Sequence, residues 1–483
     1  MKKILAIGSG PLLEKGVRKI GGHCLRTWHF VSPLLEDGHW VSLVTLPIPD
    51  HSRPPESFRE HVEKRKYEGF AYQSVLKEDP AFLKSFFAEE MKRLRPDCIV
   101  GINTHPAAVA ARSASILPFW ADLNGWAMAE GQTRARLDGS DTYLPYFWAD
   151  ERDACRRADR FSTVSKNQKL ALIGELAAMG RMNRFTFDYP FADVVENAVN
   201  PLFAGEPDPG QPLLVRGTRT PQDAFIILWS GGFNTWTNVN LLYEGLARAM
   251  EKDEKVYFAS TGGSIDGHDE KTYAEFHRLL AASPFRKRFI LLGWIKAEEL
   301  FPLYCECDAG LNVDAMNYET MFGARNRITN MLAAGLPVLT TLGTEISRTV
   351  ETERLGLAFP MDDPDLMAGA ILDLAQNRVL CREMSVASRR YALENYSNSG
   401  TTQPLRDWVR NPKLAPDNQE KVIRYPSTDD LLSVWTNDIE KTHALLGDRD
   451  ALSLVNDSRD LWIIRSNPLF KLYKSLKGVF KKK

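Results

Sequence analysis

Residues 225–236 read Phe-Ile-Ile-Leu-Trp-Ser-Gly-Gly-Phe-Asn-Thr-Trp, a short apolar run closed by two glycines. Phe225 to Trp229 reads as a strand, and Thr237 or Asn238 can cap a helix from Asn238 to Met250. Strand, glycine loop and helix therefore follow in order. Paired glycines allow close backbone approach, and a helix N-terminus offers unpaired N–H groups to an anion. Taken alone, the loop suits a plain glycine turn as well as a phosphate or nucleotide site.

The same cycle extends in both directions. Downstream come strands Val256–Ser260, Phe289–Leu292, Ala309–Val313, Pro337–Thr341 and Gly356–Phe359, with helices Met321–Ala334 and Asp365–Asn377. Upstream, strand Lys3–Gly8, a helix from the Gly21-Gly22 pair to Leu35, strand Trp40–Leu46, helix Ala81–Leu94, strand Asp97–Ile102, helix Pro106–Ser113 and strand Leu117–Asp122 repeat the pattern. Such alternation implies a parallel sheet, and the fold class is α/β with two facing Rossmann-like, doubly wound domains. Residues 1–203 form the first domain and 223–396 the second, joined by the Pro- and Gly-rich linker 204–222. A return helix (397–410) and a helical extension (411–483) complete the chain, the extension holding a polar linker and a helix Asp429–Leu446.

The chain has 483 residues, 44% hydrophobic and 25% charged, the profile of a folded globular protein. Its formal charge is −1, but Ser466–Lys483 holds six lysines and no acid, so the body is acidic and the tail basic. In that tail Leu469, Leu472, Tyr473, Leu476, Val479 and Phe480 recur at helical spacing with lysines between them, the pattern of a helix lying on an anionic membrane surface. The acidic body, with no aromatic and basic interleaving outside the tail, argues against a nucleic-acid partner. The apolar run at the N-terminus is too short for a signal peptide, and no stretch approaches a membrane span. Six scattered cysteines, with only Cys305 and Cys307 close together, read as buried structural thiols in a cytoplasmic protein rather than a disulfide framework or a zinc site.

In open parallel sheets ligands bind outside the carboxyl ends of the strands, so the loops there are the candidates. Residues 318–338 give a polar helix start with Arg325 and Arg327, an apolar half, Gly335 and a Pro-led strand. The two arginines do not share one helix face, so one should point inward to an anion and the other to solvent. His105 follows strand Asp97–Ile102 and Asp122 ends strand Leu117–Asp122, so both should open onto the cleft.

The stretch Asn330–Val338 (NMLAAGLPV), preceded by Glu319, resembles the carboxyl-domain signature of the GT-B glycosyltransferases of the large retaining, nucleotide-sugar-dependent group. Gly21-Gly22 resembles that group's N-terminal glycine loop, and Asn197–Pro201 (NAVNP) its interdomain turn. WSGGFNTW and residues 291–313 resemble its second glycine loop and the strand, helix and strand that follow. Two departures stand out: Asn330 occupies the position where the family has a ribose-binding Glu, and Phe233–Asn240 lacks the usual Arg and Lys phosphate clamp. ETMFGARNRITN, with Arg327 eight residues after Glu319, is similar to a subgroup found in bacterial surface-polysaccharide synthesis, which accounts for both.

The resemblance implies a hexosyltransferase-type glycosyltransferase moving a sugar from a nucleotide-sugar to a lipid-linked or cell-envelope glycan acceptor, with retention. It implies donor contacts from Gly231, Gly232, Asn234, Trp236, Glu319, Arg325, Arg327 and Asn330, an acceptor loop at Gly21, Gly22 and His23, and catalytic roles for His105, Asp122 and Arg327. No Asp-x-Asp motif sits at a strand end, so neither metal nor other cofactor is expected. The enzyme would sit in the cytoplasm or on the inner face of the plasma membrane through residues 466–483. A catalytically silent GT-B-like scaffold at the membrane is the alternative, permitted by Asn330 and the missing clamp.

Overall fold

Phe225–Ser230 is a strand whose six residues are all buried, because it lies in the middle of a sheet covered on both faces. Its side chains alternate. Phe225, Ile227 and Trp229 enter a core with Leu242, Leu246, Phe258 and Met367, whereas Ile226 and Leu228 enter another with Leu303, Ile328 and Met331. Each fully buried side chain of this size contributes on the order of 2 kcal/mol. A continuous apolar run is thus what a two-faced parallel strand requires.

The computed structural model describes residues 1–419 apart from 15, 19, 48–60, 77, 114–115, 206–211 and 266. Its first sheet consists of β1 (Lys3–Ser9), β2 (Trp40–Leu46), β3 (Val62–Tyr67), β4 (Phe70–Val75), β5 (Cys98–Ile102), β6 (Phe119–Leu123), β7 (Arg160–Thr163) and β8 (Ala192–Val194). The second consists of β9 (Phe225–Ser230), β10 (Val256–Thr261), β11 (Phe289–Leu291), β12 (Ala309–Asn312), β13 (Val338–Thr341) and β14 (Gly356–Phe359). The strand orders are β3-β4-β2-β1-β5-β6-β7-β8 and β11-β10-β9-β12-β13-β14. All pairings are parallel except β3 with β4. This is the doubly wound α/β architecture expected, and in each sheet the order reverses at one point, between β1 and β5 and between β9 and β12. Crevices open at such points.

Several elements differ from the sequence reading. The charged run VEKRKY, to which the sequence reading assigned no element, is the edge strand β3, where exposed charges protect an unpaired edge. The single helix expected over Met321–Ala334 is two, Tyr318–Phe322 and Asn326–Ala333. A Cβ at Gly323 would stand 2.5 Å from Glu319 Oε1 and 2.9 Å from Arg325 Nη1, so the chain breaks where Arg325 turns back onto Glu319. Helix Gln403–Arg410 returns to the first sheet, with Leu405 and Val409 fully buried beside Ile4, Phe30 and Leu34. Cys305 is exposed, against the expectation of a buried thiol; the other five cysteines are buried. The helix Asp429–Leu446 and the basic tail 466–483 lie outside the described residues.

Candidate functional site

The crevice of the second sheet is built by the loops that follow β9 and β12. Gly231 has φ +94°, which lets the chain leave β9 sharply. Phe233 turns inward and stacks on Trp229 and Phe276, Asn234 bonds Thr237 through its backbone, and Asn238 caps helix Val239–Lys252 by accepting from Leu241 N–H at 3.1 Å. The carbonyl of Trp236 accepts from Ala315 N–H at 2.7 Å, and Thr237 bridges Asp314, so the two loops are stitched together.

The two arginines have opposite fates, and neither is a surface charge. Arg325 is 4% exposed and gives its guanidinium to Asp314 (Nε to Oδ2, 3.0 Å) and Glu319 (Nη1 to Oε1, 2.9 Å; Nη2 to Oε2, 2.7 Å). Burial opposes its charge, but the two carboxylates outweigh that and raise its pKa above the ordinary value. Burial likewise pushes the Glu319 carboxyl up to about 7, against the pull of Arg325. Arg325 is shared between the two carboxylates, and Glu319 spends both of its oxygens on Arg325.

Arg327 is different. Its Nη2 donates to the Gly232 carbonyl at 2.7 Å, and its guanidinium lies 4.0 Å from the centre of the Trp229 ring. Its Nη1 is buried and has no hydrogen-bond partner among the described residues. Burial pushes its pKa down to about 10, with Asp314 and Arg325 pulling in opposite directions. The helix that carries it, Asn326–Ala333, begins at Arg325, whose side chain makes no cap hydrogen bond to the first turn. A guanidinium with a nitrogen to spare beside a glycine turn at a sheet's switch point can meet an anion such as a diphosphate.

The first sheet brings its own loop to this place. Gly21 precedes helix Gly22–Glu36, and a Cβ on Gly22 would stand 2.5 Å from Asn326 Nδ2, so the glycine pair lies directly against the start of the Arg327 helix. His23 lies in the same contact. Burial first, and then His268 of the second half, push its pKa down to about 4, so it is neutral at pH 7. His268 in turn faces Glu130 at 3.6 Å, and Thr133 bonds Thr235 at 2.7 Å. Further ties come from Ser165, which donates to the Phe322 carbonyl at 2.6 Å, and from Glu345, which accepts from the N–H groups of Lys166 and Asn167.

Three expected site residues stand elsewhere or are already engaged. Asp122 does not open onto the cleft: it is fully buried, with both oxygens bonded to Arg26 (3.0 and 2.7 Å) and one to Ser162 (2.7 Å). Its position near the end of β6 turns it into the core, where Arg26 needs a counter-charge. His105 sits on the outer side of helix Thr104–Arg112 between Asp150 (2.7 Å) and Glu78 (3.2 Å). Burial would lower its pKa, but the two carboxylates prevail and push it up to about 10. Asn330 is in the core, its side-chain amide Oδ1 accepting from Asn200 N–H at 3.1 Å within the NAVNP turn. The residues missed were Asp314, Trp229, Asn326 and His268. Asp314 was findable as a carboxylate just past a predicted strand; the others acquire meaning only through what crosses over to meet them.

Residues 224–377 match the family model described as "Glycosyl transferases group 1". No curated protein sequence matches the chain. Among solved structures the chain is similar to sucrose-phosphate synthase from Thermosynechococcus elongatus, with TM-score 0.62 and 15% identity over 85% of this chain and 98% of that one. It is also similar to Anabaena HepE in complex with UDP-glucose (TM-score 0.58, 14% identity, 85% and 100% covered) and to trehalose-6-phosphate synthase OtsA (0.58, 12%, 88% and 100%). At these identities the likeness is one of fold. The chain therefore has the two-sheet GT-B fold, and its Arg327 crevice lies inside a stretch that matches the group 1 glycosyl transferases.

Proposed function

We propose that the chain is a hexosyltransferase-type glycosyltransferase that moves a sugar from a nucleotide-sugar donor to a lipid-linked or cell-envelope glycan acceptor, with retention and without a metal in the reaction. The observation that carries this reading is Arg327, a guanidinium at the Gly231-Gly232 turn with one buried nitrogen that has no hydrogen-bond partner among the described residues. Breaking the anomeric C–O bond puts negative charge on the departing diphosphate. Arg327 meets that charge in a partly desolvated crevice, where one preorganised donor contributes on the order of 3 kcal/mol. UDP-glucose in HepE supports a nucleotide-sugar as the class of donor. Gly21, Gly22 and His23 form the opposite wall, where an acceptor hydroxyl would approach; Asn234 and Trp236 line the donor side.

The membrane part of the reading rests on the sequence of residues 466–483, whose lysines and apolar stripe suit the anionic inner leaflet, where a lipid-linked acceptor would be met. No helix of the described residues is long and apolar enough to cross a membrane. The second reading, a catalytically silent scaffold of the same fold, is favoured by the capture of Glu319 by Arg325 and of Asn330 by Asn200. A panel of UDP-, GDP-, ADP- and TDP-sugars separates the two. An enzyme is stabilised by one class and consumes it, whereas stabilisation without consumption supports the scaffold. If no sugar nucleotide stabilises the protein or is consumed, the donor site is wrong.

A further inference from the structure

Away from the crevices, three side chains of the first half meet in a dry place. Glu151 and Cys155 lie one turn apart on helix Leu144–Arg157 and share a face, and Glu175 comes from helix Lys166–Ala178. One ligand atom from each, two carboxylate oxygens and a sulfur, all lie within 4.8 Å of one another. Glu151 is 1% exposed, and among the described residues its two oxygens meet no cationic donor, their neighbours being the Glu175 carboxyl and the Ala127 backbone. Glu175 accepts from the Trp126 indole N–H at 2.6 Å through Oε1, while its Oε2 meets no donor among the described residues and the carboxyl stands against that of Glu151. Arg181, the cation beside Cys155, is spent on Asp417 and on the carbonyls of Cys155 (2.6 Å) and Ala158 (2.9 Å).

Two carboxylates cannot stand bare in such surroundings, so either a shared proton or a cation lies between them. The sulfur discriminates. A proton shared by two carboxyls has no use for a third group, whereas two oxygens and a thiolate are a three-ligand set that leaves one tetrahedral position open on zinc. Thiolate also selects a borderline-soft ion over magnesium or calcium. We propose that Glu151, Cys155 and Glu175 bind one divalent cation of the zinc class. The ion accepts an electron pair from each ligand, and the thiol proton, with any carboxyl proton, leaves to solvent.

Bound there, the ion ties the two helices together. Helix Lys166–Ala178 carries Lys166 and Asn167, which bond Glu345 of the second half, and Trp126 packs edge-on against Phe322 at 5.0 Å. The site therefore braces the first half where it meets the second.

The test uses the full chain, stripped with chelator and titrated with Zn2+ and with Co2+. One ion per chain by elemental analysis, a higher Tm with zinc, and a thiolate-to-cobalt absorption band are expected. Cys155→Ser should abolish the band, and Glu151→Gln, which keeps the side chain's volume, should weaken zinc binding at least about ten-fold, as even the outer partners of a metal site do. The inference is overturned if no stoichiometric ion binds, if the band survives in Cys155→Ser, or if Glu151→Gln raises the Tm without changing metal affinity. The last result identifies a shared proton instead.

Discussion

Replacing Arg327 by Met separates a group kept for a ligand from one kept for the fold. Burial holds the guanidinium's pKa well below its ordinary value, down to about 10, yet it stays charged at pH 7. At about 1.4 kcal/mol for each pH unit, holding that charge costs the folded chain on the order of 3 kcal/mol. Against this stand a cation–π contact with Trp229 of about 1–2 kcal/mol and a hydrogen bond to Gly232 of about 1 kcal/mol. The terms nearly cancel. Arg327→Met keeps an apolar stem over Trp229, so its Tm should stay within about 2 °C of the parent or rise, given that ~1 kcal/mol moves a domain of this size by only a few degrees. Turnover should behave otherwise: losing a donor worth about 3 kcal/mol at the diphosphate lowers the rate about 100-fold. Initial rates with the donor found in the nucleotide-sugar panel, beside thermal melts of both proteins, read the two effects. Near-parental turnover would falsify the diphosphate assignment. A large fall in Tm would refute the stability argument and make Arg327 a structural residue like Arg325.

Arg325→Met is the converse experiment. It leaves Asp314 and Glu319 buried without their counter-charge and should cost about 3–5 kcal/mol in urea or thermal unfolding; an unchanged midpoint would show that the cluster does not hold the loop. Asp122→Ala strands the buried Arg26 in the same way, so a loss of similar size, about 3–5 kcal/mol, is expected by urea unfolding, and full stability with lost turnover would restore Asp122 to catalysis. His23, with its folded pKa lowered from 6.5 to about 4, is neutral in the fold where the unfolded chain is protonated. Its contribution is complete above pH 6.5 and is lost as pH falls toward 4, by up to about 3 kcal/mol. The parent should lose Tm relative to His23→Gln as pH falls from 7 toward 4, and parallel curves would show that His23 does not titrate this way. His105 has the opposite sign: its ion pairs stabilise below pH 6.5 and fade as pH rises through about 10, and His105→Gln should lower Tm slightly at pH 6 while sparing turnover.

The strands and most helices were legible because parallel strands buried on two faces must be apolar runs, as Phe225–Trp229 and Lys3–Gly8 are, and because glycine or a capping residue punctuates each one. The edge strand β3 was not legible, since its charges serve the edge and mimic a loop. The break in helix 318–333 was hidden as well, because Gly323 is forced by Arg325 reaching back to Glu319, a contact that exists only after folding.

By itself, the sequence determined the two-sheet α/β architecture, the switch-point loops and the residue types that could meet an anion. Tertiary structure alone decided which of two adjacent arginines is free. Arg325 and Arg327 have the same chemistry and lie two positions apart, but Asp314 and Glu319 bond one, while the other lies over an aromatic face and bonds a carbonyl, with one nitrogen unpaired among the described residues. A charge's role follows from its partners, and those partners come from distant parts of the chain. The same holds for His105 and Asp122, whose place near strand ends suggested a cleft. Their side chains instead found Asp150, Glu78 and Arg26, because a buried or half-buried charge is stable only beside its opposite.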